Sequence, residues 1–180
     1  VWWVFIWRIS NSKNKRTVQK ELEDAIRKVT GEENRIIASG RTDSGVHANE
    51  MYINFLTAKN IRADKFHFHL KKYLPDDILA LESKKVDKNF HARFSVKTKT
   101  YKYVISLDKI LHPIYRNYME QVTYKLDFDK LKQGMEILKG EHDFKAFMLS
   151  EKNDIINTIR KIDDCYFVLN ENRLYLYFKA

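Results

Sequence analysis

An arginine and an aspartate stand two residues apart between Gly40 and Gly45. In extended backbone, side chains two residues apart project to the same side, so the Arg41 guanidinium and the Asp43 carboxylate can meet. A nearby cation lowers the pKa of a carboxylate, and a nucleophile or general base needs the ionised form. Neither glycine carries a side chain that would keep a bulky substrate away from the backbone. These residues therefore allow a catalytic carboxylate at Asp43.

The same segment also fits an ordinary surface turn. The sequence Asp-Ser-Gly from Asp43 is common in turns, and an exposed arginine beside an aspartate is a common and weak ion pair. Local chemistry alone favours this turn and leaves catalysis as the alternative.

A second segment, residues 90–103, interleaves cations with aromatic rings. Lysine and arginine neutralise phosphates, and aromatic faces stack on unpaired bases, so the mixture indicates RNA binding. The alternative is an amphipathic strand with its rings in the core and its lysines in solvent, in which Tyr101 is an ordinary core residue. The residues concerned are Phe90, His91, Arg93, Phe94, Lys97, Lys99, Tyr101, Lys102 and Tyr103.

Composition narrows the class of protein. The 180 residues are 44% hydrophobic with 5 Gly and 2 Pro, which fits a folded globular chain and not a disordered or collagen-like one. The net charge of +9 favours a polyanionic partner but does not separate nucleic acid from a membrane surface. The single cysteine excludes an internal disulfide, and no apolar run is long enough to span a membrane. A reducing cytoplasm is the expected location.

The residues offer little to hold a metal or a nucleotide cofactor. His67 and His69 are the only histidines close in sequence, and positions two apart on a helix diverge. The glycine-rich loops that cradle dinucleotides or phosphates are missing from the sequence. We expect neither a metal nor a cofactor, and we expect Cys165 to be a small core residue.

Hydrophobic periodicity predicts an α+β fold. It predicts helices from Thr17, from Asp64 towards Tyr73 and from near Asp127. The order strand, helix, strand, strand, helix, strand, followed by a second similar start, is typical of ferredoxin-like units, with helices on one face of an antiparallel sheet. After the first strand, further strands are expected at 35–38, 52–55, 78–86, 97–105, 118–124, 159–169 and 174–178.

Residues 39–48, Ser-Gly-Arg-Thr-Asp-Ser-Gly-Val-His-Ala, closely resemble the signature of the TruA-type tRNA pseudouridine synthases. Shorter matches follow the family's order along the chain, at residues 17–19, 74–78, 90–95, 101–103 and 140–144. The resemblance implies the pseudouridine synthase fold, in which two ferredoxin-like halves surround a mainly antiparallel sheet. On that basis residues 1–95 form the half with the catalytic loop, and residues 96–180 form an incomplete half without the family's final strand and helix.

The resemblance also implies an activity. Family members convert uridine to pseudouridine in the anticodon stem-loop of tRNA, without a metal or cofactor, and act as homodimers. The matching positions make Asp43 the catalytic carboxylate, Arg41 its ion-pair partner and Tyr101 the active-site tyrosine. The other residues expected to bind the substrate are Gly40, Thr42, Gly45, His47 and Arg93.

In this reaction the N1–C1′ bond breaks, the uracil rotates and C5 joins C1′. A carboxylate beside C1′ can add covalently, stabilise positive charge or remove the 2′ proton, and the sequence leaves all three open. Residues 1–12 lack the family's first-strand motif and are either a divergent strand or a displaced sequence. The alternatives to an active enzyme are an inactive RNA-binding fragment of one and an unstable gene remnant.

Overall fold

The computed structural model describes residues 2–8, 17–147 and 157–180. The chain divides into two compact units, Val1–Val96 and Lys97–Ala180. Of the helices that the structure describes, none combines the length and hydropathy that a transmembrane span needs. Across the same residues, no three or more His, Cys, Asp or Glu side chains are grouped so as to hold a metal ion.

The first unit has the ferredoxin-like order of elements. The elements are β1 (Trp2–Arg8), α1 (Val18–Thr30), β2 (Ile37–Ala38), β3 (Ala48–Phe55), α2 (Phe66–Lys71) and β4 (Ile78–Lys85). A 3₁₀ turn at Ala63–Lys65 leads into α2. The sheet has the strand order β2-β3-β1-β4 and is antiparallel throughout, and each of the two β-α-β steps contributes one helix.

Helix α1 begins and ends where its sequence predicts. The Thr17 hydroxyl accepts a hydrogen bond from the Lys20 N–H at 3.2 Å, which satisfies a donor at the helix start. Gly31 ends the helix at a φ of 73° and donates its N–H to the Arg27 carbonyl. The apolar side of α1, with Leu22 and Ile26, is buried against the sheet.

The core of the first unit lies between the two helices and one face of the sheet. Because side chains alternate along a strand, Ile53 and Phe55 of β3 face the helices and Asn54 faces the other way. The buried core residues are Leu22, Ala25, Ile26, Ile36, Ile53, Phe55, Phe66, Leu70, Ile78 and Ala80.

The elements of the second unit are β5 (Thr100–Ser106), β6 (Glu120–Gln121), α3 (Phe128–Leu138), β7 (Gly140–Asp143), β8 (Ile159–Ile162), β9 (Asp164–Asn170) and β10 (Arg173–Lys179). They include a four-stranded sheet with the order β6-β5-β10-β9 and a two-stranded sheet of β7 and β8. As the sequence predicts, a helix begins near Asp127, and the Asp127 side chain accepts from the Lys130 N–H at the start of α3.

Several predicted boundaries were wrong. The strand predicted at 118–124 forms only two residues of ladder, parallel to β5. The strand predicted at 159–169 is two strands in different sheets, because Asp163 breaks the run and donates its N–H to the Lys179 carbonyl. The predicted second helix starts as a 3₁₀ turn and ends at Lys71 instead of continuing towards Tyr73. Pro75 follows shortly afterwards, and a proline disfavours helical backbone in the residue before it. Residues 2–8, by contrast, do form a strand.

Cys165 lies in the core of the second unit, as predicted. Its side chain is 1% exposed and its Sγ donates to the Met135 carbonyl at 3.0 Å. Burial raises the pKa of the Cys165 thiol, which keeps it in the unreactive protonated form.

We therefore expect Cys165 to react with a thiol reagent such as DTNB only when the second unit opens. The rate of its reaction with DTNB in native buffer should be at least about a hundredfold below that of the same chain in denaturant, because a core thiol reacts only when local unfolding exposes it. Immediate, complete labelling of the native protein would show that the thiol is accessible.

Candidate active site

The loop at residues 40–47 is carried by the β2–β3 hairpin. The register pairs Ala38 with Ile53, and Ser39 extends the pairing by donating its N–H to the Tyr52 carbonyl at 2.8 Å. The Ser39 hydroxyl, which is largely buried, accepts from the Tyr52 N–H at 3.2 Å. These contacts fix the start of the loop to the sheet, and Ala48, directly after its end, pairs with Arg8 of β1.

A turn places the Asp43 side chain on the surface. The Asp43 carbonyl accepts from the Val46 N–H at 3.1 Å, so residues 43–46 close a β-turn. Gly45 has a φ of 86° at the third position of that turn, where residues with a Cβ are strained. Gly45 is thus required by the backbone, and the Asp43 carboxylate is exposed to solvent.

The expected ion pair between Arg41 and Asp43 does not appear among the ion pairs of the described residues. Both residues are exposed, and an exposed pair gains little over hydration by water. Gly40, Thr42 and His47 are half-buried in the same loop. The hairpin therefore brings six of the eight predicted site residues into one loop.

Arg93 lies in a separate segment of the first unit, residues 87–95, which follows β4. The Phe94 and Ser95 N–H groups donate to the His91 carbonyl, which closes a single helical turn. Arg93 is exposed, with its guanidinium 5.9 Å from the centre of the Phe94 ring, and the His91 ring stacks on that of Phe94 with 4.3 Å between ring centres. The segment therefore presents a cation and a ring together at the surface.

Tyr101 lies in β5 of the second unit. Its side chain is 53% exposed, and Tyr103 on the same face is 58% exposed, so the interpretation of these rings as core residues was wrong. On the opposite face, the Lys102 ammonium lies 4.6 Å from the centre of the Tyr175 ring. This strand therefore has rings and cations at the surface, as RNA binding would need.

Comparison with known proteins identifies the same family as the motif at residues 39–48. A family model described as tRNA pseudouridine synthase matches residues 5–95, about half of the chain. The chain belongs to the tRNA pseudouridine synthase family. The curated relatives that it matches include the tRNA pseudouridine synthase A of Thermoanaerobacter sp. (strain X514), 43% identical over 160 residues, and that of Caldicellulosiruptor saccharolyticus, 40% identical over 167 residues.

The chain and these pseudouridine synthases differ in length. The alignment covers 89% of this chain but 65% of the Thermoanaerobacter protein, and 93% of this chain but 68% of the Caldicellulosiruptor protein. The chain thus spans slightly less than two thirds of the first of these relatives.

Family membership confirms the predicted pseudouridine synthase fold and its α+β class. The matched range holds the loop with Asp43 and the segment with Arg93, whereas Tyr101 lies beyond its end. Both matched pieces belong to the first unit.

One residue near these segments that its sequence pattern does not single out is Asn54. It is 4% exposed on the face of β3 that points away from the helices, and its Oδ1 accepts from the Ala92 N–H at 2.7 Å. The available signal was a lone amide between two apolar residues, Ile53 and Phe55, at the end of a strand whose last three residues are buried.

A groove of about 400 Å³ adjoins the same segment. It is lined in part by Arg35, Asn54, Lys88, Phe90 and His91. The groove lies where β2 begins and β3 ends, whereas the loop with Asp43 joins the other ends of these strands. It is therefore separate from the candidate catalytic carboxylate.

Proposed function

We propose that this chain acts as a tRNA pseudouridine synthase that isomerises uridine to pseudouridine in the anticodon stem-loop, with Asp43 as the catalytic carboxylate. The observation that carries the proposal is the family match over residues 5–95, which contains the whole loop from Gly40 to His47. The names of the relatives, at about 40% identity over most of this chain, support the same substrate class.

The loop suits a reaction on a large, flipped-out nucleotide. A base must leave its stack to be reached, at a cost of a few kcal/mol. An exposed carboxylate on a turn anchored to the sheet can approach C1′ from outside, and Gly45 leaves the backbone beside it open. Arg41, two residues away, supplies positive charge that attracts the RNA backbone.

Substrate binding is assigned to the exposed rings and cations. Arg93 and Lys102 contact phosphates in this proposal, and Tyr101 stacks on the uracil. Gly40, Thr42 and His47 complete the wall of the site around Asp43. The net charge of +9 strengthens association with any tRNA and makes it dependent on salt.

The remaining features of the proposal are suggested by the family resemblance. We place the catalytic loop in an N-terminal half, residues 1–95, and the tyrosine in a C-terminal half, residues 96–180. The enzyme acts in the cytoplasm as a homodimer and needs neither metal nor cofactor.

The test is release of tritium from tRNA labelled at C5 of uridine. Because C5 exchanges its hydrogen for the bond to C1′, each turnover should release one tritium, and nuclease digestion with mass spectrometry should find pseudouridine in the anticodon stem-loop. Salt-dependent tRNA binding without any tritium release would instead identify an RNA-binding fragment. A chain that neither binds nor modifies tRNA would contradict both.

A further inference from the structure

We propose that Asn54 is a positioning residue for Arg93: its buried amide holds the segment 87–95 against the sheet and so fixes the place from which the guanidinium reaches RNA. The RNA part of this inference rests on the proposed function. The geometry on which it depends is independent of that function.

Asn54 makes the hydrogen bond that joins the segment to the sheet. Its Oδ1 accepts from the Ala92 N–H at 2.7 Å, across 38 positions of sequence. Both partners are buried, with Asn54 4% exposed and Ala92 1% exposed. A buried N–H that loses its acceptor has no water to replace it, so this bond strongly favours one placement of the segment.

The other hydrogen bonds of the segment shape it without anchoring it. The Asn89 and Phe90 N–H groups donate to Asp87, and those of Phe94 and Ser95 donate to His91. Among the hydrogen bonds of the described residues, each of these joins two residues of the segment 87–95, whereas the bond from Ala92 to Asn54 joins the segment to β3. Removing the amide would therefore keep the turn and release its attachment.

Arg93 is the residue that this attachment places. It follows Ala92 directly, so fixing the Ala92 amide fixes the start of the exposed Arg93 side chain. A segment that is already fixed loses less conformational freedom when it contacts a ligand, and pre-organisation of this kind raises affinity. Asn54 thus acts on RNA through Arg93 without touching it.

The experiment is a double-mutant cycle on the dissociation constant for tRNA at one fixed salt concentration. Asn54→Leu and Arg93→Ala should each weaken binding about five- to tenfold, within the range of coupling seen between residues that share a network. The double variant should bind no more weakly than Arg93→Ala alone. If the two losses multiply in the double variant, Asn54 does not act through Arg93.

Ser83→Ala is the matched control for stability. Ser83 is 2% exposed in the same unit, where its hydroxyl donates to the Ala63 carbonyl at 2.6 Å and accepts from the His67 N–H at 2.9 Å. This variant loses buried hydrogen bonds at α2 and not at segment 87–95. It should lower the unfolding midpoint as Asn54→Leu does while leaving the tRNA dissociation constant within about twofold.

Hydrogen exchange at the Ala92 amide tests the attachment without RNA. In Asn54→Leu this amide should exchange at least about tenfold faster, while core amides such as that of Ile26 keep their rates, because the opening is local. An Ala92 amide that stays equally protected overturns the inference. If the amide loses protection but no variant binds tRNA, the attachment stands, and both the proposed function and the RNA role of Asn54 fail.

Discussion

Replacing Asp43 by asparagine is expected to reduce tritium release from C5-labelled tRNA by at least about a thousandfold relative to the unaltered chain. The amide has nearly the same shape but can neither add to C1′ as a nucleophile, nor balance positive charge there, nor take the 2′ proton. Loss of a reacting group commonly costs that much or more in turnover. The prediction holds for each of the three roles that the sequence leaves open.

The affinity for tRNA separates loss of chemistry from loss of folding or binding. Asp43→Asn should bind tRNA within about threefold of the unaltered chain, since an exposed carboxylate is not needed to contact phosphates. Asp76→Asn makes the same chemical change at another exposed site of the first unit and should keep full turnover. Full tritium release by Asp43→Asn would remove Asp43 from the catalytic role.

Replacing Phe66 by alanine is expected to destabilise the first unit by about 3–5 kcal/mol. The Phe66 side chain is 0% exposed in the core, with its ring centre 5.4 Å from that of Phe55. Removing the ring leaves a cavity between α2 and the sheet that the backbone cannot readily close. Because a domain is typically stable by only about 5–15 kcal/mol, the unit would be partly unfolded near the upper end of this loss.

Two intrinsic probes separate the units in that measurement. All three tryptophans, Trp2, Trp3 and Trp7, belong to the first unit, and Cys165 belongs to the second. Urea unfolding followed by tryptophan fluorescence should therefore shift strongly in Phe66→Ala. Phe68→Ala, on the same helix but 55% exposed, should shift it by less than about 1 kcal/mol. Equal shifts in both variants would mean that α2 does not pack as described.

Local signals were enough to predict the elements whose ends are fixed by their own residues. Thr17 and Gly31 limit α1 through contacts within a few positions, and Asp127 does the same for α3. The strand boundaries that were predicted wrongly lie where pairing with distant strands determines the end of the element. The two parts of the run 159–169 join different sheets, since β8 pairs with β7 and β9 pairs with β10. Nothing within the run itself indicates these partners.

The candidate site likewise contains residues that the sequence predicts and residues that it does not. Residues 40–47 are contiguous, so their spacing alone predicted one loop, and Gly45 has the positive φ that a turn glycine provides. Asn54 could not be found from spacing, since its partner Ala92 is brought to it by the sheet and by the path of the chain after β4. The ion pair expected between Arg41 and Asp43 is the opposite case. The two residues are close in sequence, but both side chains are exposed, and pairing gains little when water hydrates each of them.

The place of β1 inside its sheet affects how the first unit is made by the ribosome. Trp2 pairs with Phe55 on one side and with Lys85 on the other, so β1 is synthesised before both of the strands that it pairs with. Until residues up to Lys85 have left the exit tunnel, the nascent strand keeps at least one row of backbone groups open. An unpaired strand edge of this kind is prone to pair with other chains, so the unit is most exposed to aggregation before β4 is complete.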